Sequence, residues 1–301
     1  MNRCSLGLLF GVTVLAGCRP TPGAEVSARV QRLTASLALT GTDPASPLAR
    51  WILPRELGEV SGLALTSDGR LLAHGDESGQ IFVIDPRGGA LLKRFSIGSS
   101  GGDARADFEG ITVAGERIIM AASNGMLYEF AEGEDGERVD FVVHDTRLGK
   151  ECEFEGVAFD SAQGMVVLPC KNVRTKNLRD QMVLYRWRLD GDGDSTLGPM
   201  SIPLRQVIGS NAWKELHPSD ITIDPATGNY VIVAAQEKAL IEITAQGEVV
   251  RAEPLPGKHK QAEGVGLTRD GLLIVSDEAT TRPASLTLYR WPLTAAKPGP
   301  P

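Results

Sequence analysis

QAEGVGLTRDGLLIVSDE, residues 261–278, reads as two short strands joined by the turn Arg269-Asp270-Gly271, of the Asp-Gly hairpin type. Glu263 stands where the first strand begins, and Asp277 and Glu278 stand where the second ends. In an antiparallel hairpin those two places share one end of the structure. The pattern recurs upstream as EVSGLALTSDGRLLAHGDE (59–77), DFEGITVAGERIIMAASN (107–124), EFEGVAFDSAQGMVVLPCKN (153–172) and HPSDITIDPATGNYVIVAAQE (217–237). Aligned on the third residue, the register positions are Ser61, Glu109, Glu155, Ser219 and Glu263, spaced by 48, 46, 64 and 44 residues. A strand-rich repeat of this period predicts an all-β chain forming a single β-propeller with one blade per repeat, hence five blades. A sixth blade needs residues 26–54 to supply more than one strand.

The 301 residues suffice for one large β domain with a full core. The 34 glycines and 5% aromatics fit many tight turns around a core of Val, Ile and Leu. A formal charge of −7 argues against broad nucleic-acid binding.

Blade five runs out early. Strands are expected at 263–268, 271–276 and 285–292, and the Pro-rich tail 293–301 follows. A spare strand, ARWILP (49–54), sits at the other end of the domain, which spans 48–292. Placing ARWILP beside LTLYRW (286–291) closes the ring and removes its open edges. Blade two is expected to end in one strand over 138–145, and NAWKELH (211–217) reads as a helical turn. Along the inner strands Glu109, Ile111 and Val113 share one face, while Gly110 and Thr112 share the other. Bulky and small faces of this kind let neighbouring blades nest.

The first 17 residues read as a signal peptide: Arg3, then the apolar run 6–17, too short to span a bilayer as an ordinary helix. The run ends in Leu15-Ala16-Gly17-Cys18, which resembles the bacterial lipobox and implies lipidation at Cys18. Residues 18–47 then form the lipidated cysteine and a tether. Arg19 follows the cysteine where an inner-membrane retention signal has Asp, so the resemblance implies an outer-membrane lipoprotein facing the periplasm. The membrane is thus one expected partner. Cys152 and Cys170 remain in an oxidising compartment. A hairpin turning around Ser161-Ala162-Gln163 brings them within about one pair of each other, which predicts a disulfide.

The EVSGLA start, the DFEGI and FEGVAFD copies, the PSDITIDPATG hairpin and the QAEGVGL…IVSDE close resemble the SdiA-regulated (YjiK/CarP-like) family over residues 48–292. The resemblance implies an extracytoplasmic β-propeller and suggests a link to calcium. The Glu-Gly strand starts resemble, more distantly, gluconolactonase-type propellers, in which one such Glu binds a divalent metal. Ser61 and Ser219 depart from a uniform pattern.

Strand starts and second-strand ends open on one face, called the top here. Carboxylates crowded around one axis repel unless cations or hydrogen bonds compensate. Glu109, Glu155, Glu263 and Asp277 are the candidate ligands of a hard cation, Ca²⁺ or Mg²⁺. Glu59, Asp76, Lys171, Arg174, Ser219, Asp220 and Glu278 are the candidate ligand-binding residues around them. The competing expectation is that these groups cap backbone N–H groups and pair between blades. The basic loop 171–180, with Lys171 and Arg174, suits a small anionic ligand. DGDGDS (190–195) begins like a calcium loop, but Ser195 and Ser201 stand where an EF-hand needs Gly and Glu. Gly98-Ser99-Ser100-Gly101-Gly102 satisfies G-x-S-x-G without the strand-turn-helix setting of a nucleophile elbow. The leading expectation is a periplasmic binding or sensing module with its ligand on the central top face. The rivals are a metal-dependent hydrolase of lactones or phosphoesters, and a scaffold for envelope proteins.

Overall fold

The computed structural model describes residues 46–189 and 196–292. The expected signal peptide, Cys18, most of the expected tether, the DGDGDS segment and the tail beyond Pro292 lie outside them. Five sheets carry one blade each, and the four strands of each blade run antiparallel. Blade one holds Val60–Leu65, Leu71–Gly75, Gln80–Asp85 and Ala90–Ser99. Blade two holds Phe108–Ala114, Arg117–Ala122, Met126–Ala131 and Phe141–Asp145. In blade three the inner strand comes in two pieces, Cys152–Phe154 and Ala158–Asp160, followed by Met165–Val173, Gln181–Arg188 and Thr196–Pro203. Blade four holds Asp220–Ile223, Tyr230–Ala234, Ala239–Ile243 and Val249–Pro254. Blade five holds Ala262–Leu267, Leu272–Asp277 and Ser285–Arg290, and its fourth strand is Ala49–Ile52 from the other end of the chain.

That last pairing is the expected closure, with Ala49 opposite Leu288 and Ile52 opposite Ser285. Each interface between neighbouring blades is filled by an apolar cluster. The ring closes through Leu63, Leu71 and Phe82 of blade one packed with Ile274, Leu286 and Leu288 of blade five. Alternation produces this layout. Each strand offers one apolar face to the blade before and one to the blade after, so few faces are left for water.

Two expectations at the periphery need correction. The outer strand of blade two is not continuous. Arg138–Val139 pairs in parallel with Ser96 and Ile97 of blade one, and only Phe141–Asp145 joins blade two. Arg138 is held there by Asp103, 2.7 Å away. The helix expected at 211–217 lies earlier, at Leu204–Ile208, where Val207 is buried in the cluster between blades three and four. Ser99 pairs with Gly102 in a tight hairpin, so the G-x-S-x-G stretch forms no nucleophile elbow. The disulfide between Cys152 and Cys170 is present, with Cα atoms 5.7 Å apart.

Candidate binding site at the propeller axis

The inner strands of blades two and three approach until their backbones touch. The Gly156 N–H donates to the Glu109 carbonyl at 2.5 Å. A Cβ on Gly110 would lie 2.6 Å from the Gly156 carbonyl carbon, so the residue after Glu109 must be glycine. Gly156 also sits at φ +83°, which favours glycine and breaks the inner strand of blade three. This close approach brings Glu109 and Glu155 together. Glu263 joins them from blade five, and one ammonium group, that of Lys171, serves all three.

Lys171 contacts the Glu155 carboxylate directly. It reaches the axis because of a β-bulge. Glu153 pairs with Asn172 and Phe154 with Cys170, which leaves Lys171 between them without a partner in the ladder. A bulge re-aims one side chain without displacing the rest of its strand. Burial works against the charge on Lys171, but Glu155, Glu263 and Glu109 outweigh it and hold its pKa high.

The carboxylates are only partly compensated. Burial, with Glu155 and Asp107 adding repulsion, pushes Glu109 up to about 8, against a hydrogen bond from Ser61 Oγ at 3.1 Å. Burial pushes Glu155 up to about 7 even with Lys171 beside it. Glu263 is also raised by burial, eased by Lys171, with Glu278 and Asp277 adding repulsion. The Glu155 and Lys171 side chains keep 8% and 25% of their exposure, so the group is reachable from the top face.

The other candidates sort into three sets. Glu278, half-buried, has its pKa raised by burial, then by Asp76 and Glu59, which makes a second acidic patch between blades five and one. Gln261 hydrogen-bonds to it. Arg174 is drawn away from the axis, to the Gly149 carbonyl at 2.5 Å and Glu153 at 3.4 Å. Asp277, Ser219 and Asp220 are turned inward as ties. Asp277 accepts from Lys260 N–H at 2.9 Å and lies 2.7 Å from His259 Nδ1. Burial acts against its charge, but His259 and the backbone hold its pKa down. His259 in turn meets the Tyr289 hydroxyl at 2.8 Å, so this chain fastens the 259–261 loop to blade five. Ser219 donates to the Ala262 carbonyl at 2.6 Å, joining blades four and five.

Asp220 is the exception in the ring. The residue after each register position is Gly62, Gly110, Gly156 and Gly264 in four blades, and Asp220 in blade four. It is fully buried, and its Oδ2 accepts from Val265 N–H at 2.7 Å across to blade five. Its Oδ1 has no hydrogen-bond partner among the described residues. Burial pushes its pKa well above the carboxylate range, against the backbone bond to Val265.

Sequence reasoning assigned Lys171 to anion binding and missed its place inside the acid ring. It also gave no role to His259. The one signal for Lys171 was its position beside Cys170 at the end of a second strand; the bulge that turns it inward left no mark in the alternation. His74, at the end of the second strand of blade one, is buried, and burial pushes its pKa down to about 4.

Residues 206–291 match the family model described as SdiA-regulated, the family that the strand starts resemble. No curated protein sequence matches the chain. Among solved structures, a glutaminyl cyclase from Myxococcus xanthus is 14% identical, with 81% of this chain and 94% of that one covered at a TM-score of 0.52. The PQQ-bound aldose sugar dehydrogenase of Streptomyces coelicolor is 12% identical, with 83% and 99% covered at a TM-score of 0.50. Both are similar in fold, and at these identities the likeness extends to the propeller alone.

Proposed function

We propose that this propeller is an envelope-tethered binding or sensing module whose top face takes up a hard divalent cation, with Ca²⁺ as the leading candidate. The observation that carries the reading is the imbalance at the axis: Lys171 contacts Glu155 directly and lies within electrostatic reach of Glu109 and Glu263, and burial holds Glu109 and Glu155 up at about 8 and 7. Carboxylates raised in this way are short of positive charge. Hard oxygen donors suit Ca²⁺ or Mg²⁺. Uptake at neutral pH requires Glu109 to give up its proton and Lys171 to swing aside. Binding is therefore coupled to proton release. Lys171, once displaced, is free to meet an anionic group on a ligand that the cation brings in.

Calorimetric titration of the chelator-treated protein with CaCl₂ at pH 7, in two buffers of different ionisation enthalpy, tests this. The expected result is saturable binding with proton release, weakened at least about tenfold in Glu155→Gln. No calcium response up to millimolar concentration overturns it. Lactone or phosphoester turnover with the metal bound would replace the sensing reading by the hydrolase one. The tether rests on the lipobox at Cys18. Cys18→Ala is expected to leave the membrane fraction, and a mature wild type found soluble with a different N-terminus removes that part.

A further inference from the structure

A well-formed cavity lies away from the acid ring. It sits at the other end of the axis, where first strands turn into second strands, and its volume is about 480 Å³. Its wall is a ring of five apolar side chains, one per blade: Leu65, Val113, Phe159, Ile223 and Leu267. Four of the five are only partly buried and belong to four different interblade clusters, so each has an apolar flank left over for the cavity. The volume falls in the range that holds small organic ligands. The cavity does not continue to the top face. Leu63, Ile111, Val157, Ile221 and Val265, each at most 2% exposed, fill the axis between the two ends.

The rim carries charge of a definite sign. Asp68 is neutralised by Arg70 at 2.7 Å, and Asp270 by Arg87 at 3.0 Å. Arg269 is exposed, lines the mouth, and has no ion-pair partner among the described residues. Arg87 spends only part of its donor fork on Asp270: its Nε is buried and has no hydrogen-bond partner. A buried guanidinium N–H without an acceptor is unfavourable and is relieved by an acceptor arriving at the rim.

We propose that this lower cavity is a second binding site, for a small amphipathic monocarboxylate. The apolar part of the ligand lies within the five-residue ring. Its carboxylate meets Arg269 at the mouth, with Arg87 turning to offer its free donor. A cationic amphiphile of equal length meets the same walls but an unpaired arginine at the rim, so it is rejected. The axial plug makes this site separate from the acid ring.

The test is calorimetric titration of the purified full chain, in detergent-free buffer, with octanoate and with octylammonium. The expected result is saturable one-to-one octanoate binding that octylammonium does not compete for. Arg269→Glu, an exposed substitution, is expected to weaken octanoate at least about tenfold with an unchanged melting temperature. Glu155→Gln is expected to leave it unchanged, which separates this site from the calcium reading. The proposal is overturned if no saturable binding occurs up to roughly 10 mM, an affinity too weak to mark a built site. It is also overturned if Arg269→Glu binds as well as wild type, if octylammonium competes equally, or if Glu155→Gln abolishes binding.

Discussion

The two ends of the axis are cut from the same five inner strands, and they are chemically opposite. At the top, the register rung reads Ser61, Glu109, Glu155, Ser219 and Glu263. Two residues further every blade has an apolar side chain, Leu63, Ile111, Val157, Ile221 and Val265, all buried. Two further again comes Leu65, Val113, Phe159, Ile223 and Leu267 around the cavity. Side chains two apart share a strand face, so the two apolar rungs point the same way at two depths, while the top rung sits at a bulge or break of the inner strand in blades one, two, three and five. The strands also splay. Near the top, Gly110 has the next strand's backbone where a Cβ would sit, at 2.6 Å. Near the bottom, a Cβ on Gly266 would have its nearest neighbour at 3.6 Å. Convergence at one end crowds charges onto one lysine, and divergence at the other leaves room for a ligand.

Removing the closure should break both ends at once, and it is the largest effect expected. Residues 48–54 supply the outer strand of blade five. Leu53 is buried in the cluster that joins blades five and one, and Trp51 packs over Gly89 and donates to the Pro86 carbonyl at 3.1 Å. Losing those two side chains alone costs about 4 kcal/mol, or about 10 °C in melting temperature for a domain of this size. A deletion that melts like the parent would show that the ring does not depend on this strand.

The charge at the top end gives the next effect, and only that end produces it. Burial pushes Glu109 up to about 8 and Glu155 up to about 7, above the ordinary glutamate value near 4.5. Between those limits these two groups hold more protons in the folded protein than in the unfolded chain, so their contribution to stability falls as pH rises from about 4.5 to about 8 and levels above that, while buried His74, held down to about 4, works the other way below about 6.5. Allowing for solvent screening at the open rim, the drop is about 3 kcal/mol. Denaturant unfolding from pH 5 to pH 9 measures it. Glu109→Gln should flatten the curve. A wild-type profile that is flat above about pH 6.5, where His74 no longer titrates in either state, would mean that the top carboxylates are already fully compensated.

Much of this was legible in the sequence because it is repeated. Five strand starts revealed the period, the blade count and the rung that carries Glu109, Glu155 and Glu263. The leftover strand at 49–52 was identifiable because blade five lacked one. What escaped was non-local. The bulge at Lys171 breaks alternation within a single strand. Arg138–Val139 leaves its own blade for the neighbouring one, held by Asp103, which no local pattern records. Asp220 was legible as a polar residue at the right place, but not as a buried one that bonds to Val265 in the next blade. The lower cavity is a consequence of splay, and alternation alone shows which residues face the axis, not how far apart they stand.

The disulfide sits at the top end only, beside the bulge that aims Lys171. It closes a separation of 18 residues, so Cys152→Ser with Cys170→Ser is expected to cost about 3 kcal/mol in the chain-entropy model. The same variant should weaken calcium binding, because Cys170 adjoins Lys171 and Cys152 adjoins Glu153, the two sides of the bulge. Thiol titration of the denatured, unreduced wild type should find no free thiol from this pair. If the double variant loses stability but binds calcium unchanged, the bond is a staple and does not position the site.

The smallest effect tests the splay itself, with one substitution at each end. In Gly110→Ala the new methyl group would stand 2.6 Å from the Gly156 carbonyl carbon and 2.7 Å from its Cα. Those are backbone atoms of the next blade and cannot swing aside as a side chain would, so the blades must separate, at a cost of about 2 kcal/mol. That movement pulls Glu109 away from Glu155 and should lower the Glu109 pKa toward the ordinary range. In Gly266→Ala the methyl group meets Leu65 and Leu71 side chains at 3.6 and 3.7 Å, an ordinary contact. The backbone there does not need positive φ, since Gly266 is not among the glycines with that conformation. The substitution removes freedom from the unfolded chain and adds an apolar contact, so it is expected to stabilise by about 0.5 kcal/mol. Paired denaturant melts of the two variants give the answer. Opposite signs support a ring that is tight at the acid end and open at the apolar end. Equal destabilisation would mean that the inner strands run at constant spacing and that the lower cavity is narrower than 480 Å³.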